Sequence, residues 1–507
     1  MRSVLSNFLA LVFSNVFALG LNFVYSIIIV TKLADAYGLQ SAILSFAAIV
    51  TGISYLGLLE VGTRELARRP AQDHAALYGN LMALHLTLSG TTCLLSIAFV
   101  LIAHSFTGDA FLVFLLALFT LVFSFAPTVP TEALLIARGK MKTVALLQSF
   151  YAAATTIFGG FIVLLQTGNV PQLAGKVWGI TSITQSLLHG YSVHALTALY
   201  MVLSIVSVVT IILYLYEARR TLGMGFRLRL KPDESIFLLR HGFPGGIAAT
   251  FYTFCMRFGA YFVFIYIGDK EAAYLGVSSL ALQAVTSIVW IPYSINILPI
   301  MTRIHMTSSV RLKWIGSRSL TMIIAVTVPI AVGTTLMAND VLSFLSKTQT
   351  VAGPTLRVFI WILPLAVVAS FSYWWLLILS KQHAYLLATA AGVVVNLLAC
   401  IVLVPFGAAV GAAWAAVVSL LTVDIVCLWS LRSWVRENLR LLDVFRILIG
   451  IAGMVVSLQL TMGWAPILRI IVGALVYGAI LFVSGILPIH ELKTFRTLFV
   501  QNAGASN

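Results

Sequence analysis

The sequence predicts an all-α protein that crosses a membrane about fourteen times. Its mean hydropathy is +1.03, 60% of its 507 residues are hydrophobic and only 9% are charged. A soluble chain of this length needs far more polar surface to cover its cores. Apolar runs of about 20 residues, the length that a helix needs to cross a bilayer, follow one another almost end to end. Because lipid offers no hydrogen-bond partners to an open strand, each run is predicted to be helical.

Fourteen spans follow from these runs, and short loops join them. The first run begins near Phe8 and is too long for the core of a cleaved signal peptide, so we expect it to remain as a helix. No loop is large enough for a soluble catalytic domain. The predicted spans are 8–30, 41–62, 79–103, 111–137, 144–166, 194–216, 243–267, 273–300, 317–338, 355–379, 384–404, 408–431, 444–463 and 466–488.

The basic residues indicate which side of the predicted bundle is cytoplasmic. Of the 31 lysines and arginines, 24 fall on the side that carries both termini, and six lie in or beside the loops of the other side. An excess of basic residues marks the cytoplasmic loops of membrane proteins, so we expect both termini in the cytoplasm. The same asymmetry accounts for most of the net charge of +15, so the charge does not call for a nucleic-acid partner.

The longest cytoplasmic loop divides the first twelve spans into two groups of six. Its basic character suits an anionic lipid surface. The segments DAYGLQSAILSFAAIV (35–50) and EAAYLGVSSLALQAVTSIV (271–289) enter corresponding spans of the two groups, which indicates a parallel duplication of the kind that builds many transporters. We predict an N-lobe at 1–217, a cytoplasmic linker at 218–242, a C-lobe at 243–434, a final helix pair at 435–490 and a cytoplasmic tail at 491–507.

One arginine falls near the middle of a predicted span. Arg257, in TFCMRFGAYFVF, lies fourteen residues after the start of the seventh span and ten before its end. A cation at that depth costs at least about 2.5–3.5 kcal/mol on insertion scales, so it should face a wet cavity or a partner. Contact with an anionic substrate, a structural ion pair and a misplaced span are three open explanations.

Several other polar residues lie within or beside the spans. Each carboxylate either pairs with a basic residue or binds a coupling cation, H⁺ or Na⁺, and we expect no other cofactor and no metal site. A buried histidine either carries protons or is an ordinary core residue. Span asparagines hydrogen-bond between helices by default and otherwise contact sugar hydroxyls. The candidates are Glu60, Glu65, Glu132, Asp424 and His85 for coupling or gating, and Asn296 and Asn396 for substrate contact.

Three stretches resemble the polysaccharide-flippase branch of the multidrug/oligosaccharidyl-lipid/polysaccharide superfamily. AYGLQSAILSFAAIVTGISYLGLLEVGTRELAR, 36–68, resembles that branch's second span and the R-E-L-A sequence at its exit, and EALLIARGKMKTVAL, 132–146, resembles its short basic loop after the fourth span. The stretch 393–419 resembles its eleventh-to-twelfth helix hairpin through Asn396, Leu403, Pro405, Gly407, Gly411, Ala412 and Ala413. The resemblance covers about residues 5–435.

The resemblance implies a twelve-helix core of two pseudo-symmetric lobes around a central cavity, here followed by two more helices. It implies alternating access that moves a lipid-linked saccharide from the cytoplasmic to the outer leaflet of a bacterial inner membrane. The expected substrate is an undecaprenyl- or other polyprenyl-pyrophosphate-linked glycan, such as an O-antigen unit of lipopolysaccharide. The expected partners are membrane lipid and the polymerase or assembly proteins of such a glycan. Members of that branch often pair the mid-span arginine with an aspartate, whereas Met256 precedes Arg257 here.

The charged sequence RELARR at 64–69 has two interpretations. In one, it is the cytoplasmic exit of a helix, where Arg and Glu cost little because they reach the interface. In the other, Arg64 binds a pyrophosphate head group through its planar guanidinium, and Glu65 acts as a latch between the lobes.

Three functional classes compete. A flippase is favoured because a mid-membrane cation suits an anionic head group. A cation-coupled multidrug exporter of the same superfamily should place a carboxylate deep in the N-lobe, whereas Glu60 and Glu132 are shallow. A polyprenyl-dependent membrane glycosyltransferase needs an acidic or histidine cluster on an outer loop, and the outer acids in this sequence are scattered. We therefore expect a transporter rather than an enzyme.

Overall fold

The protein is a bundle of helices. The computed structural model describes residues 2–166, 192–223, 225–305, 309–345, 347–379, 381–434 and 441–485, and every regular element in these ranges is helical. The predicted tail at 491–507 and the side chain of Asn296 lie outside the described residues. The α-helices are α1 Arg2–Lys32, α2 Tyr37–Tyr55, α3 Leu58–Arg68, α4 His74–Ala103, α5 Asp109–Leu118, α6 Phe125–Ala137, α7 Met141–Ala154, α8 Gly160–Gln166, α9 Ser192–Leu222, α10 Pro232–Tyr266, α11 Asp269–His305, α12 Ser309–Leu336, α13 Ala338–Leu345, α14 Gly353–Phe359, α15 Ile362–Ile378, α16 Gln382–Ser430, α17 Leu441–Leu460 and α18 Pro466–Val483.

Within the described ranges, twelve helical segments are long and apolar enough to cross a membrane. One of them, α16, breaks at Ala408, where φ is 45° and ψ is −124°. The Ser419 hydroxyl donates to the Gly392 carbonyl at 3.0 Å, so the two arms of α16 lie side by side as a hairpin. The second arm and α11, which is 37 residues long, account for the two predicted spans that this count leaves out. The predicted fold class, an all-helical polytopic membrane protein, is confirmed.

The surface of the bundle is apolar, as expected for a protein that lipid surrounds. Phe406 is 91% exposed and Ile102 is 80% exposed, positions that water would not favour. We refer to α1–α9 as the N-half and to α10–α16 as the C-half. The largest buried cluster takes residues from α1, α2, α5 and α9 and also from α10, α11, α14 and α16, so the two halves share one continuous core.

The second predicted span is broken. The helix α2 ends at Tyr55, and Leu56 and Gly57 then adopt positive φ angles of 38° and 71° before α3 begins. Two consecutive residues in the left-handed region cannot continue a right-handed helix, and only glycine adopts it without strain. The helix α3 is amphipathic: Leu58, Val61 and Leu66 are buried, whereas Glu60, Arg64 and Arg68 are exposed. We call the end of the bundle that carries α3 the basic face and the end where α2 begins the opposite face.

The final helix pair is attached to the C-half through a proline kink. Pro329, inside α12, has no N–H to donate to the carbonyl of Ala325, four residues earlier. The Tyr477 hydroxyl of α18 donates to that carbonyl instead, at 2.5 Å. A side chain of the terminal pair therefore satisfies a backbone group that the proline leaves without its helical partner.

Candidate functional site

The two repeat segments identified in the sequence pack against each other at the opposite face. A Cβ atom on Gly276 of α11 would lie 2.8 Å from the Tyr37 ring of α2, and one on Gly38 would lie 1.8 Å from the Asp269 carbonyl oxygen. The Leu39 N–H donates to the Asp269 carboxylate at 2.5 Å, so a C-half side chain accepts from the first turn of α2. Backbone contact between the halves closes this end of their interface.

The interface is also closed at the basic face. Cβ atoms on Gly242 and Gly246 of α10 would lie 2.5 Å from the Leu56 oxygen and 2.2 Å from the Leu56 carbonyl carbon. The break between α2 and α3 therefore rests on a glycine surface of α10. An ion pair between Arg69 and Glu234 joins the halves nearby. In this conformation neither end of the interface is open.

The start of α10 is anchored to the N-half. The Asn80 side chain of α4 accepts from the Lys231 N–H at 2.9 Å and from the Ser235 hydroxyl at 3.0 Å, and it donates to Glu234 at 3.3 Å. The helix begins at Pro232, within the predicted linker at 218–242. Proline at the first position and two acids in the first turn favour a helix start there.

Arg257 lies between the two closed ends. It borders a cavity of about 10 Å³, close to the smallest volume that holds one water molecule. Ser45 of α2 and Ser279 of α11 also line this cavity. Tyr37 of α2 lies near the Arg257 guanidinium. Among the described residues, Arg257 has neither an ion-pair nor a hydrogen-bond partner. It precedes the end of α10 at Tyr266 by nine residues, roughly 14 Å of helical rise.

The structure bears on the three explanations for Arg257. The residue lies inside α10, one of the helices that are long and apolar enough to cross a membrane. A structural ion pair finds no acidic partner in the described part of the chain. Contact with an anionic substrate stays a prediction.

Glu65 pairs within its own helix. Its Oε1 lies 3.4 Å from Arg64 Nε and 3.6 Å from an Arg68 guanidinium nitrogen, and the carboxylate is buried. In this conformation the ion pair that links the two halves is formed by Arg69 and Glu234. A latching role for Glu65 would require a different conformation and stays a prediction.

Arg64 and Arg257 are not brought together. Ser45, which shares the Arg257 cavity, lies ten residues before the end of α2 at Tyr55, roughly 15 Å of helical rise, and Arg64 lies beyond the break, in α3. The Arg64 side chain is 45% exposed at the basic face. The two guanidinium groups therefore lie at different depths of the interface.

The asparagine that the structure describes binds backbone within the C-half. The Asn396 amide donates to the Cys255 carbonyl at 3.1 Å, and the side chain is completely buried. This contact ties the first arm of α16 to α10, two residues before Arg257. It matches the default expectation of a hydrogen bond between helices.

Glu132 has two donors in the N-half. The Tyr214 hydroxyl donates to it at 2.7 Å and the Gln148 amide at 3.1 Å. Glu60 is exposed, and both carboxylates act electrostatically on Tyr55, the last residue of α2. The two acids therefore lie on the N-half near the break between α2 and α3.

His85 occupies a proline kink. Pro130 has no N–H for the carbonyl of Ala126, and His85 Nδ1 donates to that oxygen at 2.9 Å. The side chain is only 2% exposed, and its Nε2 has no partner among the described residues. This contact holds α4 against α6, whatever further role the ring has.

Asp424 differs from the other candidate acids. It lies in the second arm of α16 and is 3% exposed. Neither of its carboxyl oxygens has a hydrogen-bond partner in the described part of the chain.

A large apolar cavity lies beside the C-half. It measures about 530 Å³ and is bounded by α12, α13, α17 and α18. Val326 and Ile470 on its wall are 47% and 44% exposed, so the cavity reaches the lipid-facing surface. The wall also includes Met322, Pro329, Met454 and Tyr477.

The sequence analysis did not predict the contacts that three residues make at the interface of the halves, namely Ser45, Ser279 and Asp269. All three lie in or directly beside the two repeat segments at 35–50 and 271–289. The repeat itself was the available signal, because related segments of two pseudo-symmetric halves often meet at the axis between them.

Comparison with known proteins identifies the fold. No protein-family model and no curated protein matches the chain. Among solved structures, the lipid II flippase MurJ in an inward closed conformation matches with a TM-score of 0.70 and 12% identity, over 93% of this chain and 98% of that one. A multidrug resistance MATE family transporter of the MOP superfamily matches with TM-scores of 0.57 inward-facing and 0.52 outward-facing, at 12% and 15% identity, over 82% and 84% of this chain and 95% of each of theirs. At these identities the likeness shows a shared fold, so this chain has the fold of MOP superfamily members.

Proposed function

We propose that this protein is a flippase that moves a polyprenyl-pyrophosphate-linked oligosaccharide between the leaflets of a membrane by alternating access. The observation that carries the proposal is Arg257, a guanidinium without a protein partner among the described residues, inside an apolar helix of spanning length and between two halves closed at both ends. Because a planar guanidinium binds phosphate oxygens through two parallel hydrogen bonds, a pyrophosphate is a fitting ligand. A bound pyrophosphate would give the Arg257 guanidinium the partner that the described residues do not provide.

The apolar cavity supports a lipid-linked substrate. Its volume of about 530 Å³ and its contact with the lipid-facing surface suit a chain of isoprene units that stays in hydrocarbon while the head group crosses. The helices α17 and α18, which form one wall, would then serve the tail of the substrate. The likeness in fold to a lipid II flippase is consistent with separate sites for the lipid tail and the head group.

The remaining parts of the proposal follow from the sequence. The excess of basic residues on the face that carries α3 orients that face toward the cytoplasm, with the termini on the same side. The resemblance to the polysaccharide-flippase branch favours a bacterial inner membrane, an O-antigen or similar glycan unit, and association with polymerase or assembly proteins. Transport by rocking needs no catalytic group, so we propose a transporter and not an enzyme.

Flipping in reconstituted liposomes tests the proposal. A short-chain polyprenyl-pyrophosphate saccharide is loaded in one leaflet, and its appearance in the other is followed for wild type, Arg257→Lys and Arg257→Ala. A hydrogen bond to a charged group contributes about 1.5–3 kcal/mol, so we expect Arg257→Ala to lose roughly 10- to 150-fold in rate and Arg257→Lys to retain part of it. Arg357→Ala, which removes an exposed arginine from α14, should leave the rate unchanged.

The same vesicles separate the alternatives. Wild-type flipping that survives Arg257→Ala would contradict the site while keeping the function. Absence of flipping together with export of an organic cation would refute the flippase and support a cation-coupled multidrug exporter, a class that shares this fold.

A further inference from the structure

Asp424 is a carboxyl group that the protein buries without a partner. Two other described acids of the helices are compensated: Glu132 accepts from Tyr214 and Gln148, and Asp443 lies 3.4 Å from Arg446. Asp424 is 3% exposed, and in the described ranges no donor or cation contacts either of its oxygens. A group that differs so clearly from its neighbours requires a separate explanation.

The titratable groups that face Asp424 are neutral at ordinary pH. Tyr252 approaches from α10, Tyr385 from the first arm of α16, and Cys427 from the same arm as Asp424. Tyr373 of α15 faces Tyr385 in turn. None of these side chains supplies the positive charge that a buried carboxylate needs. An ionised carboxylate in such a site costs several kcal/mol, so the neutral acid is the stable form.

A proton fits this site better than a metal ion. No group of three or more His, Cys, Asp or Glu side chains occurs in the described ranges, and sodium or calcium would require several oxygen ligands. A proton needs one carboxyl oxygen only.

We propose that Asp424 carries one proton while the two halves are closed and exchanges it with water when the basic face opens. The proposal rests on the proposed function, because it concerns the same alternating-access cycle. On opening, the O–H bond of the carboxyl breaks, its proton passes to water and the carboxylate is hydrated; closure reverses the step. The transported substrate takes no part in this exchange.

The position of Asp424 gives the proton a short route. The residue lies six positions before the end of α16 at Ser430, roughly 9 Å of helical rise. Tyr252, which faces it, lies six residues after Gly246, the residue of α10 that closes the basic face against Leu56. Separation at Gly246 would open the interface roughly 9 Å along α10 from the segment that covers Asp424.

The direction of the pH effect follows from proton counting. The closed state holds one more proton than the open state, so acid favours closure. Between the pKa values of the two states, the ratio of closed to open molecules changes about tenfold per pH unit. Asp424→Asn, which mimics the neutral acid, should stay closed at all pH values.

Two measurements test the proposal. The first treats wild-type protein in nanodiscs with the apolar reagent dicyclohexylcarbodiimide, which modifies protonated carboxyl groups, and locates the adduct by mass spectrometry. We expect modification at Asp424 near neutral pH and none at Asp443, the ion-paired control. The second measures the distance between spin labels on the two halves from pH 5 to pH 9, in wild type, Asp424→Asn and the control Glu217→Gln, which changes an acid that pairs with Arg220 within α9.

The outcomes are distinct. A pH-dependent distance in wild type and Glu217→Gln that disappears in Asp424→Asn supports the proposal. Unmodified Asp424, or a distance that changes with pH equally in all three proteins, overturns it; the labelling uses wild type, so it holds even if Asp424→Asn fails to fold. Neither measurement involves the saccharide, so a protein that passes both and flips no lipid-linked saccharide would refute the proposed function alone.

Discussion

Replacing Gly246 by alanine should open the basic face. The added Cβ would lie 2.2 Å from the Leu56 carbonyl carbon and 2.5 Å from the Gly57 nitrogen, and ordinary contacts begin at 3.4 Å. Both atoms belong to backbone, so the two halves must separate by about 1.2 Å. Overpacking of this kind costs about 1–3 kcal/mol and acts on the closed state alone. The higher helix propensity of alanine stabilises α10 equally in both states and cancels, so the ratio of closed to open molecules should fall by roughly 5- to 150-fold.

Distance measurement between two spin labels checks this prediction. Labels at Arg68→Cys and Arg432→Cys, both exposed, report on the two halves; Cys93 is replaced by alanine because the other three cysteines are buried. We expect a second, longer distance in Gly246→Ala. The control is Gly245→Ala, where the new Cβ has nothing within 4 Å. A distance distribution in Gly246→Ala that matches wild type and this control would refute the steric account of closure.

Two further predictions concern contacts described above. Tyr477→Phe should lower the free energy of unfolding by about 1–3 kcal/mol because it leaves the Ala325 carbonyl without a donor. The cost should shrink in a Pro329→Ala background, where the helix supplies its own N–H, and thermal unfolding in detergent measures both; equal costs in the two backgrounds would contradict this assignment. Exchanging the charges of Arg69 and Glu234 together should preserve the closed distance that either single reversal lengthens. Single reversals without effect would show that this ion pair does not hold the halves.

Much of the architecture follows from hydropathy alone. Apolar runs of spanning length predict helices because lipid leaves the backbone no other partner. The break at Leu56 and Gly57 was not predicted, since a glycine inside an apolar run is common and its φ angle depends on what the helix packs against. The side contacts of α10 decide that conformation, and they are long-range in sequence.

The candidate site was predicted only in part. The place of Arg257 inside an apolar helix could be predicted from the length of the run around it. Its separation from Arg64, and the pairing of Arg69 with Glu234, depend on how two distant helices cross. The lack of a hydrogen-bond partner for Asp424 among the described residues could not be predicted from the sequence either, because it depends on how the helices pack.

The two anchors of α10 restrict where this helix could bend in the proposed cycle. Asn80 holds its first turns to the N-half, and Asn396 holds the residues around Cys255 to α16. Between these anchors lies HGFPGG, 241–246. In this segment a proline removes one helical hydrogen bond, and three glycines leave the backbone flexible. In the proposed alternating-access cycle, two halves that moved as rigid blocks would break one of these anchors. A hinge within HGFPGG would keep both, and α10 would then move with the N-half at its start and with the C-half beyond the hinge.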